Sequence, residues 1–177
     1  VPSRLIEGEQ YAARTIRPRI HQHLSTYLYA GGPELSARVE SSGVLERLGQ
    51  GLHAADDELL DGLRLDRSIA PVDGFRGGLT SARTRLRHFV ETQLADYARA
   101  RNAPEEEGTS QLSPYLHFGH IGPREVARVI QNADAPAASK EAFIEQLIVR
   151  RELSVNFVRH NDAYDRLDGC EAWARGG

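Results

Sequence analysis

The chain contains no methionine, not even at position 1, and a single cysteine, Cys170. The missing initiator leads us to expect a piece of a longer reading frame. One cysteine excludes an internal disulfide, and a reducing cytoplasm is the expected setting. No base or partner motif surrounds Cys170, so nothing marks it as a reactive thiol. No apolar run approaches the ~20 residues of a membrane span, and the amino end lacks the basic-then-apolar pattern of a secretion signal. Positive charge is not in excess: 22 Lys and Arg against 25 Asp and Glu give a net charge of −3. No global field therefore favours a polyanion, and any nucleic-acid contact must use a local basic face. Strand signals are almost absent beyond the first few residues, and there is no internal repeat. What remains, 177 residues of which 40% are hydrophobic, is enough for one packed domain or one domain plus an extension.

That material is helical. Residues 1–9 read as a short extended segment, with Leu5-Ile6 as the last strand of something upstream. Ile16, Ile20, Leu24, Tyr27 and Leu28 keep helical spacing, which predicts an amphipathic helix starting near Pro18 and stopped by Gly31-Gly32-Pro33. Glycines break the pattern from there to Gly78, with short helices expected over Val44–Leu48 and Ala55–Leu60 and an extended connection over Arg67–Phe75. Leu79, Ala82, Leu86, Phe89, Val90, Leu94 and Tyr97 form a stripe that predicts one helix from Leu79 to Ala100. Further helices are predicted over Ser110–Phe118, closed by Gly119; from Gly122-Pro123 to Ile130; and from Ser139 to Arg159. The expected division is residues 1–78, an exit and linker region, and residues 79–177, a helical domain.

The most informative stretch is Thr109-Ser110-Gln111-Leu112-Ser113, placed at a predicted helix start. Three hydroxyls beside first-turn N–H groups and the positive end of a helix dipole form a mouth for phosphate. Simple capping explains the same residues. Tyr97, twelve positions earlier, completes an apolar stripe, and Arg101 sits where a cation favours a helix C-terminus. Downstream, Arg150-Arg151-Glu152 lies on an otherwise apolar helix. An unpaired buried charge is very costly, so an ion pair to Glu152 or Glu145, or snorkelling to solvent, is required. At regular helical spacing Phe143 and Gln146 share a face with Arg150. His117 and His120 stand three apart, but no further ligands at useful spacing support a metal.

These two runs together resemble the flavin-binding helical domain of DNA photolyases and cryptochromes, with wording closest to the class II cyclobutane pyrimidine dimer photolyases. The resemblance extends from about Glu9 to the end and is strongest from Tyr97 to Trp173. It implies an all-α, multi-helical fragment of the FAD-binding domain, entered from an antenna domain through Tyr11–Ile20. It also implies that Tyr97, Thr109, Ser110, Gln111, Leu112, Ser113, Phe143, Gln146 and Arg150 contact FAD, and that Arg101, Val149 and Arg151 face UV-damaged DNA. His117 reads as packing or support. Trp173 matches a family loop, with a surface anchor as the plain alternative. The family carries Glu where this chain has Gln146, which keeps an acceptor but loses the charge.

In such proteins reduced FAD gives an electron to a flipped-out pyrimidine dimer. The second half of the helical domain, which holds the flavin ring, has no counterpart here. Three readings follow: a piece of a photolyase that is inactive by itself, a cryptochrome-like signalling protein, or a helical binding module without flavin. Apolar faces uncovered in the fragment make self-association a further expectation.

Overall fold

The computed structural model describes residues 3–29, 66, 68 and 72–175. Residues 3–29 and 76–175 belong to one compact unit, while residues 66, 68 and 72–75 fall in a second. The helices expected over Val44–Leu48 and Ala55–Leu60, and the stop at Gly31-Gly32-Pro33, lie outside the described residues. Among the described residues every regular element is helical, and no helix is long and apolar enough to cross a membrane.

The first unit opens with a 3-10 turn at Ser3–Leu5, so the strand expected at Leu5-Ile6 is not there. The buried side chain of Asn156 holds the segment that follows. Its Oδ1 accepts the Gln10 N–H at 2.7 Å, and its Nδ2 donates to the Gly8 carbonyl at 3.1 Å. Helix α1 then spans Ala13–Tyr29, one turn earlier than predicted, with Pro18 inside it. Proline has no N–H for the Arg14 carbonyl, but packing outweighs that single lost bond. Ile16 and Ile20 are wholly buried, and Leu28 nearly so. At the far end Arg128 donates to the Leu28 and Tyr29 carbonyls at 3.0 and 3.3 Å, a cation where the helix dipole is negative.

Helix α2 (Leu79–Thr92) buries Ala82, Leu86 and Phe89, as its stripe required, but it does not run on to Ala100. The chain breaks at Gln93, makes a 3-10 turn at Leu94–Asp96, and resumes as α3 (Tyr97–Ala100). Ser139 takes up the groups freed by the break. Its hydroxyl donates to the Ala95 carbonyl at 2.9 Å and accepts the Ala98 N–H at 3.3 Å. The break keeps Leu94 and Tyr97 in the core. Phe89, Tyr97 and Phe143 then form a three-ring cluster with centroids 5.2–5.5 Å apart.

Helix α4 (Ser113–His117) is shorter than predicted and starts three residues later. Gly119 then turns the chain at a φ of +69°, as a helix stop should. Pro123 opens α5 (Pro123–Asn132), whose Val126, Ala127 and Ile130 complete the main core. One continuous helical rod follows. It comprises α6 (Ala137–Ile144), a wide π turn over Glu145–Arg150, and α7 (Arg151–His160). A 3-10 turn (Leu167–Gly169) and a short α8 (Ala172–Arg175) close the described chain.

The wide turn lies between two apolar clusters. Leu147 belongs to the main core, whereas Val149 packs with Ile6, Ala13, Ile16 and Ile20. Arg17 of α1 grips it from outside, donating through Nε and Nη2 to the two Glu145 oxygens at 2.9 and 2.7 Å. Arg17, helped by Arg150 and His21, holds the Glu145 carboxyl below its ordinary value.

Two outcomes are expected. Phe89→Ala should destabilise the chain by about 3–5 kcal/mol in denaturant titration, because it empties the centre of the ring cluster. The Glu145 contribution should be complete above the usual carboxylate value of about 4.3 and fade as pH falls through the lowered folded value. Glu145→Gln should therefore flatten the acid limb of the stability curve, as read by melting temperature against pH.

Candidate functional site

A cavity of about 570 Å³ opens where α3, the run before α4, and the rod meet. Tyr97, Phe143, Leu147 and Leu116 supply its apolar lining. Thr109, Ser110, Gln111, Ser113, Gln146 and Arg151 supply polar groups, and His117 stands among them. Hydroxyl and amide groups, a single guanidinium and an aromatic floor suit a partly apolar ligand that carries an anionic group.

Of the hydroxyl residues in the polar rim only Ser113 stands in the first turn of a helix, where the sequence suggested all three. Thr109 and Ser110 precede α4, and the Ser110 hydroxyl accepts the Leu112 N–H at 3.3 Å. Gln111 has a φ of +52°, the only positive value for a non-glycine residue among those described. Such a conformation costs about 1–3 kcal/mol and persists where the surroundings enforce it, often at ligand clamps. Leu112 is only 1% exposed and anchors this run in the core, so it offers no surface to a ligand.

The arginines are placed by the wide turn. In a regular α-helix, residues five apart are rotated by roughly 140°, and residues four apart nearly coincide. A π turn bonds i to i+5 and moves the face by one residue. Gln146 and Arg151, five apart, therefore line the same cavity. Glu145 and Arg150, also five apart, approach each other to 4.0 Å on another side. The regular spacing that grouped Gln146 with Arg150 fails here for that reason. Arg150 keeps its head half-exposed beside Glu145, and Arg151 lies 3.5 Å from Glu152. The paired and snorkelled arrangements foreseen for these arginines thus occur together.

The remaining expected residues do not line the cavity. Val149 is 1% exposed between α1 and the rod, which leaves it no face for DNA. Arg101 is half-buried, and its Nη1 donates to the Ala142 carbonyl at 3.4 Å. Burial raises the Tyr97 phenol above its ordinary value, an effect that Arg101 partly opposes. Leu116 and Leu147 were not foreseen. Their apolar character only marks core, and no spacing signal separates a cavity wall from an interior. A second cavity of about 360 Å³ shares Leu147 and Arg151 with the first and is also lined by Leu24, Tyr27 and Glu152. Another cavity, about 800 Å³, lies beside Tyr11, Phe157, Tyr164 and Trp173 and contains none of the expected binding residues. Trp173 there is 84% exposed.

Known proteins resemble this chain along almost its whole length. A deoxyribodipyrimidine photo-lyase of Potorous tridactylus is 33% identical over 171 residues, 96% of the chain and 31% of that protein. The enzyme of the same name from Methanothermobacter thermautotrophicus is 34% identical over 174 residues, 96% of the chain and 35% of that protein. Cryptochrome-2 of Arabidopsis thaliana is 47% identical over 49 residues, 28% of the chain and 8% of that protein. No family model matches. The chain spans about a third of the length of the photo-lyases it matches.

The raised phenol gives a direct check on the cavity floor. Ultraviolet titration should show a tyrosine step above the ordinary phenol value, and Tyr97→Phe should remove that late step. A titration unchanged by Tyr97→Phe would mean that the phenol is not buried as described.

Proposed function

We propose, for a chain that belongs to the photolyase and cryptochrome family, that it supplies the phosphate cradle of a flavin dinucleotide in a DNA photolyase. The observation that carries this reading is the convergence of Thr109, Ser110, Gln111, Ser113, Gln146 and Arg151 on one cavity floored by Tyr97 and Phe143.

The residues present fit that group. The volume lies within the usual range of roughly 300–1,000 Å³ for ligand sites. A diphosphate needs cationic and neutral donors, and Arg151, Gln146 and the three hydroxyls provide both. The strained backbone at Gln111 lies in the same rim. When bound, a reduced flavin supplies the electron that opens the cyclobutane ring of a pyrimidine dimer, so the difficult chemistry belongs to the cofactor. The chain's part is to bind and orient. Arg151 balances phosphate charge from the rod. Thr109, Ser110 and Ser113 donate from the opposite rim, while Tyr97, Phe143, Leu116 and Leu147 exclude water. Arg150, turned towards Glu145, stabilises the wide turn and does not hold the ligand.

In this reading the whole protein is a class II-like, cytoplasmic photolyase acting on UV-damaged DNA. The local likeness to a cryptochrome favours light signalling as the second reading, because both activities require the same cradle. Arg101, near the rim and only half-buried, is the described residue we assign to a DNA phosphate.

Equilibrium dialysis with FAD, followed by absorption spectra to ~500 nm, tests the cradle. Charge-assisted hydrogen bonds contribute about 1.5–3 kcal/mol each, so Arg151→Ala should weaken binding roughly ten- to hundredfold. Arg150→Ala should change it by less than about threefold. Absence of any bound flavin, or a larger loss from Arg150→Ala, would contradict the assignment. The chain alone should not repair a dimer-containing oligonucleotide under blue light, and repair by it would refute the division of labour drawn here.

A further inference from the structure

The rim residues Thr109–Gln111 are delivered by the loop from Arg101 to Gly108, which is tied down at several points by residues outside the cavity. Arg99 of α3 reaches both ends of the loop's acidic frame. Its Nη1 and Nη2 donate to the two Glu106 oxygens at 2.7 Å each. Its Nε lies 3.1 Å from both Asp96 oxygens, and Nη2 also bonds Asp96. This holds Asp96 and Glu106 below their ordinary carboxyl values and Arg99 above its own. One residue further along, Gln93 Nε2 donates to the Glu107 carbonyl at 2.5 Å. Gly108 then lies so close to Ala100 that any Cβ would overlap its backbone.

We propose that Arg99 is a positioning residue for the phosphate rim. Its guanidinium, forked between Asp96 and Glu106, fixes the loop whose end presents Thr109 and Ser110 to the cavity. An isolated exposed ion pair contributes little, but this one is doubled, and guanidinium geometry matches both carboxylates at once. The clamp acts on a loop already docked at Gly108, so it has little conformational freedom to remove elsewhere. The neighbouring break in the helix at Gln93 puts Asp96 and Arg99 at the loop's base. The identity of the ligand at this rim rests on the flavin reading above, whereas the clamp itself does not.

The test is amide hydrogen exchange on the full chain, with and without FAD, comparing wild type, Arg99→Gln, Glu106→Gln and the double variant. Arg99→Gln should speed exchange at Leu112, whose N–H bonds the Ser110 hydroxyl, roughly three- to tenfold and leave Leu86 and Phe89 in α2 unchanged. Glu106→Gln should do likewise, and the double variant should add less than the sum of the two. FAD affinity should fall by a similar factor, although Arg99 does not line the cavity. Unchanged exchange at the rim would overturn the proposal, as would rim and core speeding up together, which marks general destabilisation. If wild type binds no FAD, the flavin reading fails, and the rim exchange rates still decide for or against the clamp.

Discussion

One extra residue in a helical turn governs the site. The π turn over Glu145–Arg150 decides which side chains of the rod meet the cavity, because a shift of one residue exchanges Arg150 for Arg151. Such bulges are rare in helices and occur frequently at functional sites. Here the turn is held from both sides. Val149 is sealed against Ile16 and Ile20 of α1, Leu147 packs between the main core and the cavity, and Arg17 bridges to Glu145 across the outside. Helix α1 therefore contributes no side chain to the cavity, yet its packing fixes the register of the residues that line it.

A second departure from regularity works with the first. Had α2 continued straight through Gln93, the rings of Phe89, Tyr97 and Phe143 would not meet as they do. The break is stabilised by Ser139, which satisfies an orphaned carbonyl and an orphaned N–H from the opposite helix. Buried backbone groups need such partners, and a hydroxyl at this place supplies both. The same break starts the segment that carries Arg99 and, beyond it, the loop to Thr109. Core packing and the polar rim are thus built from one irregularity. Locally placed cations, Arg151 at the cavity and Arg101 near it, give an acidic chain the positive charge that an anionic ligand requires.

Much of this was legible from the residues. The stripe Ala82-Leu86-Phe89 faces the core, Pro123 opens α5, and Gly119 ends α4 in the left-handed region. The resemblance to photolyases, drawn from Thr109–Ser113 and Phe143–Leu153, agrees with relatives 32–34% identical over nearly the whole chain. Other features were illegible for physical reasons. A periodicity of 3.6 assumes an unbroken helix, so it carried α2 through Gln93 and put Arg150 on the wrong face of a π turn. The uninterrupted run Leu147-Ile148-Val149 was the available hint, since it marks a rod buried on two sides. Leu5-Ile6 looked like a strand because two apolar residues fit either state, and the burial of Ile6 against Ile16, Ile20 and Val149, residues distant in sequence, needs no strand. Ser110, Gln111 and Leu112 looked like helix residues because capping chemistry does not specify where the first turn begins.

On the proposed reading the wide turn aims Arg151 and Gln146, and not Arg150, at a flavin phosphate. The most direct measurement is an NMR titration of the chain with FAD that follows arginine Nε–H and glutamine side-chain amide resonances. Arg151 Nε–H and the Gln146 amide should shift together and saturate with the flavin, while Arg150 Nε–H should stay where it is. Movement of Arg150 with Arg151 unmoved would contradict it.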